Sequence, residues 1–385
     1  MKKVLAVVLV TVMAVSLFAA CGGSSGGDSG VYKIGGTGPL TGGAAIYGVA
    51  VKQAAELAVD EINALGGEIQ FELRYEDDEH DPEKAVNAYN SLKDWGMQIF
   101  TSSVTSTPAV ETSARAYADR FFGLTPSASS TAVTEGNDNI FQMCFADPNQ
   151  GIATAQYIRD KGLANNIAVI YKNDDVYSVG IYEKFIETAN TLGLNVVSVS
   201  TFTEQTQTDF SVQIADANSK NADFVFLPMY YTPASLIFAQ SNAVGYHPIF
   251  FGVDGMDGIL TLDGFDPALA EGVMLLTPFD ADATDDKTIN FVRNYRERFG
   301  ETPNQFAAGS YDVIYSIYEA ILNSGGAITP GMNNAQICEA LVGIYAGNYV
   351  FNGVTGQNIT WDSEGAVSKQ PRAVIIRDGE YRSVD

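Results

Sequence analysis

Apolar residues along this chain alternate between two rhythms, short runs bounded by Gly, Pro, Ser or Asp and longer stretches in which they recur at helical spacing. The first short run, Val31, Tyr32 and Ile34, ends in the loop 35–42, and from Ala44 the positions Ala50, Ala54, Leu57, Ala58 and Ile62 predict a helix that Gly66 and Gly67 stop. The pattern then predicts a strand over 69–75, a helix capped by Asp81 and Pro82 that runs to Trp95, and a strand over 98–101. Ser102, Ser103, Thr105, Ser106 and Thr107 follow, and Pro108 suits the first position of the next helix. A second strand end comes after 121–124, in Thr125, Pro126, Ser127, Ala128, Ser129 and Ser130. A strand over 140–145 meets a break at Ala146, Asp147 and Pro148, and the cycle restarts. Helices are expected over 150–161, 177–192, 210–218 and 231–243, the last with Thr232 and Pro233 at its start. They are interleaved with strands over 167–171, 195–202, 224–227, 247–251 and near 273–276. Helices over 287–299 and 304–322 and strands near Val350 and Val374 complete the chain. Repetition of strand and helix implies right-handed crossovers, mostly parallel sheets and two α/β lobes, with ligand-facing loops at the C-terminal ends of the strands.

A chain of 385 residues is long enough for two such lobes. Its 22 basic against 46 acidic residues, a net charge of −24, exclude nucleic acid as the expected partner, because phosphate binding needs concentrated positive charge. The beginning of the chain adds a destination. Met1, Lys2 and Lys3 precede an apolar stretch over 4–18 and the small Ala19 and Ala20, the pattern of an export signal peptide over 1–20. Cys21 follows at once, and 17–21 resembles the lipobox of bacterial lipoproteins, with Phe18 where Leu is usual. The expectation is a lipid on Cys21, a flexible tether over 21–30, and an extracytoplasmic protein held to the cell membrane, at the cell surface or in the periplasm, by that lipid only. Cys144 and Cys338 read as two separate buried thiols.

Several motifs invite chemistry. The glycines from Gly36 to Gly42 follow a strand but miss the dinucleotide fingerprint by one residue, so no cofactor is expected. The acidic run 77–81 suits a solvated loop leading to a helix cap as well as a hard cation, and no metal is expected. His80 and His247 are the only histidines, and neither Ser106 nor Ser127 lies in a nucleophile-elbow sequence; a serine hydrolase stays a remote alternative and no enzyme is expected. The two hydroxyl-rich strand ends, with a helix N-terminus beside them, either receive an anion such as a carboxylate or simply cap helices. Tyr47, Tyr177, Tyr230, Tyr231 and Phe306 sit near loops or helix starts, where rings either wall a cleft or belong to ordinary core. Asp254, flanked by Gly252 and Gly255, is either a turn residue or a carboxylate that receives an ammonium group.

Taken in order, 38–42, Tyr47 with Gly48, 58–63, Gly66 with Gly67, 75–78 with Asp81 and Pro82, Thr105 with Ser106, 125–129, 175–177, 252–255 and Tyr311 with Asp312 resemble the leucine/isoleucine/valine-binding protein family, type I periplasmic binding proteins of ABC importers. The resemblance runs from about Val31 to the C-terminus. It implies two Rossmann-like lobes with parallel-sheet cores joined by a multi-strand hinge, a Venus-flytrap architecture, with lobe 1 over 31–147 and 279–353 and lobe 2 over 148–278 and 354–385. It also implies an amino-acid clamp: Ser106, Ser127 and Ser129 hold the carboxylate, Asp254 pairs with the ammonium, Tyr177 and Tyr230 close over the ligand, and Tyr47, Phe306 and Thr105 wall the side-chain pocket. Asp254 stands where the family's leucine binders carry the longer Glu, and Ser129 where Thr is common. The implied partners are a small amino acid, of the branched-chain class by preference, and an importer permease, with the receptor acting as a monomer. A polar amino acid, an amide or urea, or a purely sensory role are the alternatives.

Overall fold

The structure, a computed structural model, describes residues 30–384; the expected signal peptide, Cys21 and nearly all of the tether lie outside the described residues. Five parallel strands form the first sheet, in the order β2-β1-β3-β4-β5: β1 (Val31–Gly38), β2 (Gln70–Asp77), β3 (Ile99–Ser103), β4 (Phe122–Thr125) and β5 (Ile140–Gln142). Its helices are α1 (Ala45–Ala64), α2 (Pro82–Trp95) and α3 (Ser106–Asp119). The second sheet repeats this winding with β6 (Ile167–Lys172), β7 (Val196–Phe202), β8 (Phe224–Leu227), β9 (Ile249–Gly252) and β10 (Met274–Thr277), all parallel. An antiparallel hairpin, β11 (Arg372–Arg377) and β12 (Glu380–Ser383), extends it past β10. Helices α4 (Asp147–Lys161), α5 (Val176–Leu192), α6 (Ser211–Ser219) and α7 (Tyr231–Ala243) alternate with these strands, and α8 (Asp286–Phe299), α9 (Gln305–Asn323) and α10 (Asn334–Tyr345) follow β10.

Both sheets therefore reverse their order at one place, between β1 and β3 and between β6 and β8. At such a switch point neighbouring loops leave to opposite sides and open a crevice at the strands' C-terminal ends. Two crevices facing each other make one cleft. The fold class expected from the sequence is the one observed: two α/β lobes with parallel-sheet cores.

Several inner strands are buried on both faces, as parallel sheets require: every residue of β3, β4, β8 and β10 is buried. α1 serves two cores at once. Ala55, Ala58, Val59 and Ile62 pack against the first sheet, whereas Tyr47, Ala50, Val51, Ala54 and Leu57 belong to a cluster that continues into α7, α8 and the second sheet.

Some boundaries differ from the sequence expectation. α3 starts at Ser106 rather than Pro108, with extended Thr105 (φ −109°, ψ 149°) ahead of it; proline fits the third position as well as the first, since first-turn N–H groups have no partner within the helix. α4 starts at Asp147 rather than at residue 150. Helix α10 and strand β12 were not expected, and the strand expected near Val350 is only an isolated bridge between Phe351 and Ile359. Phe351, Ile359, Trp361 and Val367 pack with the first core, Gln142 N–H donates to Gly365 O (2.9 Å), and the Trp361 indole donates to Gln142 O (2.7 Å). After these residues, β11 is the first element hydrogen-bonded to the second sheet. Cys144 and Cys338 are both buried and unbridged, as expected.

Candidate functional site

On the first lobe the wall is made where β3 and β4 end. The Thr125 hydroxyl accepts from Ser127 N (3.3 Å) and Ala128 N (2.9 Å), which folds 125–128 into a tight turn. That turn brings the Ser127 hydroxyl to Val104 O (2.6 Å) and Ser130 N to the Ser106 hydroxyl oxygen (3.2 Å). Ser106 opens α3, so the helix N-terminus faces the same space, and the Ser129 hydroxyl is buried without a hydrogen-bond partner. Tyr47, on the first turn of α1, and Phe306, on the first turn of α9, meet edge to face with centroids 4.6 Å apart.

The second lobe contributes a carboxylate. Asp254 follows β9 and opens a 3-10 turn, where its Oδ1 accepts from the Tyr177 hydroxyl (2.6 Å) and its backbone N–H donates to Gln150 Oε1 (3.0 Å). Tyr177 Oη in turn accepts from Gly255 N (2.9 Å). A side chain at 255 would put its Cβ 2.5 Å from that oxygen, so only glycine allows the turn to sit here. Burial raises the Asp254 carboxyl to about 6, with the bonds from Tyr177 and Gln150 pulling the other way. Tyr230 lies flat on Tyr177, with centroids 4.6 Å apart and planes 7° apart.

The lobes are closed on one another. Thr107 donates to Asp175 Oδ1 (3.0 Å), Thr232 to Gly43 O (2.7 Å), and Tyr47 to Gly255 O while accepting from Tyr231 N (3.2 Å). Every site residue expected from the sequence, Tyr47, Thr105, Ser106, Ser127, Ser129, Tyr177, Tyr230, Asp254 and Phe306, lines one cavity, together with Val104 and Gly255. Its volume in this closed form is about 10 Å³, the room of about one water molecule.

Other sequence signals resolve differently. In the acidic run, Asp77 accepts from Leu40 N (2.8 Å), the Thr41 hydroxyl (2.7 Å) and Glu79 N (2.9 Å), Asp78 from His80 N (2.9 Å) and Thr37 (3.0 Å), and Asp81 caps α2 through Lys84 N (2.9 Å). Among the described residues no group of three or more His, Cys, Asp or Glu side chains is arranged to hold a metal. His80, weighed only as a catalytic or metal residue, instead places Nδ1 2.8 Å from the Thr105 hydroxyl and its ring edge-on to Tyr230 at 5.4 Å. Gln305 turns its amide to Asp254 O (3.1 Å). Sequence reasoning missed Asp147 and Gln150, which lie in the stretch it treated as a boundary between lobes.

The sequence matches the periplasmic binding protein family over residues 31–370. The chain belongs to that family. Similar curated proteins include the Leu/Ile/Val-binding protein homolog 3 of Brucella melitensis, 29% identical over 62% of this chain and 65% of its own length. An amino acid binding protein of Pseudomonas aeruginosa is 30% identical over 77% and 79%. The Brucella match thus spans just under two thirds of that relative. Among solved structures, the branched-chain amino acid transporter substrate binding protein LivJ of Streptococcus pneumoniae, in complex with isoleucine, superposes with a TM-score of 0.82 at 26% identity, over 92% of this chain and 98% of that one. Members of this periplasmic binding protein family are binding proteins rather than enzymes, and this chain is one of them. No helix among its described residues is long and apolar enough to cross a membrane.

Proposed function

We propose that this chain is an extracytoplasmic receptor that binds a small amino acid, of the branched-chain class by preference, between its lobes and delivers it to an ABC importer permease. One observation carries the reading: a buried carboxylate on one lobe, Asp254, faces hydroxyls and a helix N-terminus on the other, Ser106, Ser129 and the start of α3, around a single cavity. A zwitterion loses water from both charges when it enters such a cleft, and the loss is tolerable only where each charge meets a partner. Hydroxyls and N–H groups suit the carboxylate and Asp254 suits the ammonium. Because the two ends of the ligand belong to different lobes, binding favours the closed form, which a permease can recognise. Isoleucine in the pneumococcal relative and the Leu/Ile/Val-binding names of the curated ones support the branched-chain class. The leader and Cys21 support export and a lipid anchor at the membrane, with the receptor acting as a monomer.

The contact between Thr105 and His80 favours a second reading, a polar amino acid, an amide or urea, because it puts a hydroxyl on the otherwise aromatic pocket wall. Thermal-shift screening against amino acids, amides and urea separates the two. Titration calorimetry tests the clamp: Asp254→Asn is expected to cost about 2 to 5 kcal/mol of amino-acid affinity, the range for removing one partner of a buried charge pair. Unchanged affinity in that variant would remove Asp254 from the ammonium site.

A further inference from the structure

A second buried carboxylate lies near enough to Asp254 to feel its charge. Asp147 is the first residue of α4 and is 1% exposed, and neither of its carboxylate oxygens makes a hydrogen bond of ordinary geometry, although the Ser129 hydroxyl is near enough to favour the ionised form. A buried, unpaired carboxylate is among the most expensive arrangements a fold can carry, and natural structures keep one where something else meets it. Asp147 does not line the cavity of the closed form, but the residues it meets do. The Asp147 backbone N–H donates to Ser129 O (2.9 Å), and the Ser129 hydroxyl beside it is likewise buried, at 1% exposure, and without a hydrogen bond of ordinary geometry. The charge of Asp147 acts on both cleft tyrosines, Tyr177 and Tyr230, and the charge of Asp254 acts on Asp147. The Gln150 amide nitrogen, one turn along the same helix, makes no hydrogen bond of ordinary geometry but is near enough to Asp254 to favour its ionised form, and the oxygen of the same side chain holds the Asp254 backbone.

Counting hydrogen bonds shows what this arrangement lacks. An α-ammonium group brings three N–H donors. Asp254 alone cannot take them all, because the three N–H groups of a tetrahedral ammonium point apart and one carboxylate meets at most two of them, and its Oδ1 also accepts the Tyr177 hydroxyl. Nor does the Ser127 hydroxyl contribute, since it is turned to Val104 O. The acceptors still open are the second oxygen of Asp254, the two oxygens of Asp147 and the hydroxyl oxygen of Ser129. The first lies on the second lobe, the last on the first lobe, and Asp147 lies at the crossing between them. A cation placed among them would complete the coordination of both carboxylates. Without it, burial holds Asp147 well above the ordinary carboxylate range, an effect that Ser129 opposes and the charge of Asp254 reinforces. Packing keeps the carboxylate from turning away: a Cβ at Gly180 of α5 would lie 3.5 Å from Asp147, and one at Gly151 would lie 2.5 Å from Ile181 O, so α4 is pressed closely onto α5.

We propose that Asp147, with the Ser129 hydroxyl, forms the second half of the ammonium site and makes the cleft select for ligands that carry an α-amino group, which moves Ser129 to the ammonium and leaves the ligand carboxylate to Ser106 and the N-terminus of α3. This rests on the amino-acid reading above. It assigns the two carboxylates different duties: Asp254 closes from the second lobe, whereas Asp147 waits at the crossing.

The experiment titrates the full processed chain with leucine and with 4-methylpentanoate, the same molecule without its ammonium group. In Asp147→Asn the preference for leucine over 4-methylpentanoate is expected to shrink at least tenfold, through weaker leucine binding and unchanged or improved 4-methylpentanoate binding. Ser129→Ala is expected to move the same ratio in the same direction by a smaller factor. If both ligands weaken equally in Asp147→Asn, or neither changes, or the isosteric variant does not fold, the carboxylate belongs to the scaffold and the proposal is overturned while the amino-acid reading stands. If wild-type protein does not bind leucine, the branched-chain reading itself fails, and this proposal with it.

Discussion

The three serines of the first lobe are not equivalent, although all of them line the cavity. Ser127 already donates its hydroxyl to Val104 O, and the Ser106 hydroxyl accepts from Ser130 N but keeps its proton, while Ser129 has no partner at all. A hydroxyl with unused capacity contributes to ligand binding; one already paired contributes to the shape of the loop. Ser106→Ala and Ser129→Ala are therefore each expected to weaken amino-acid binding by about 1 to 3 kcal/mol. Ser127→Ala is expected to leave affinity within about 1 kcal/mol and to lower the melting temperature of the unliganded protein instead. Calorimetry on the three variants, with a melting curve for each, checks the division; a loss of affinity in Ser127→Ala as large as in Ser129→Ala would refute it.

At the scale of elements, one buried acid ties α9 to the chain at Val354 and Thr355. Asp312, on α9, accepts from Val354 N (2.8 Å), Thr355 N (2.9 Å) and the Thr355 hydroxyl (2.5 Å), and the buried Lys369, lowered to about 8 by desolvation, donates to that same hydroxyl. Asp312→Ala strips the partners from two buried N–H groups and leaves Lys369 uncompensated, so a loss of about 3 to 5 kcal/mol in urea unfolding is expected; a loss under about 1 kcal/mol would show that this junction is held elsewhere. The sequence announced much of this scale and missed particular parts of it for physical reasons. The strand and helix alternation was legible because apolar runs bounded by Gly, Pro and Asp are local signals, and most of the cavity's residues, though not Phe306 on α9, were legible because they stand in the loop or first helical turn after a strand, where a doubly wound sheet puts its site. The matching strand orders of the two sheets were not legible, since topology leaves no short repeat in sequence. The packing of residues 359–367 with the first core was not legible, because their contacts, such as Trp361 to Gln142, are made across the fold. Asp147 was hidden for another reason: at the start of a helix an aspartate has an ordinary capping role, and only three dimensions show that neither of its oxygens makes a hydrogen bond of ordinary geometry.

At the scale of the whole molecule, buried acids set two pH dependences against each other. Asp78 and Asp254 are both raised to about 6 by burial, and Asp147, Asp257 and Asp312 are raised by the same cause. A carboxyl whose folded pKa exceeds its unfolded value holds its proton longer when folded, so folding is favoured as pH falls through the window between about 6 and 4 and loses that advantage as pH rises again. Acids whose pKa is lowered, such as Asp216 and Asp285, act in the opposite sense, but mainly below about pH 4, where unfolded aspartates are protonated. Unliganded protein is therefore expected to unfold at a higher urea concentration at about pH 5 than at about pH 7.5, by a margin on the order of a few kcal/mol. The net charge of −24 adds in the same direction, because acid relieves repulsion among surface carboxylates, but about 0.5 M salt removes that part and leaves the buried part. Ligand binding responds the other way. An ammonium group needs Asp254 ionised, so amino-acid affinity is expected to fall roughly tenfold per unit of pH below about 6, and protonation of Asp147, which burial also raises, weakens it in the same direction. The two measurements must diverge on one preparation in high salt, stability rising and affinity falling as pH drops from about 7.5 to about 5. If they fall together, acid is disrupting the fold; if affinity stays flat, the carboxylate that meets the ligand is not one that burial has raised.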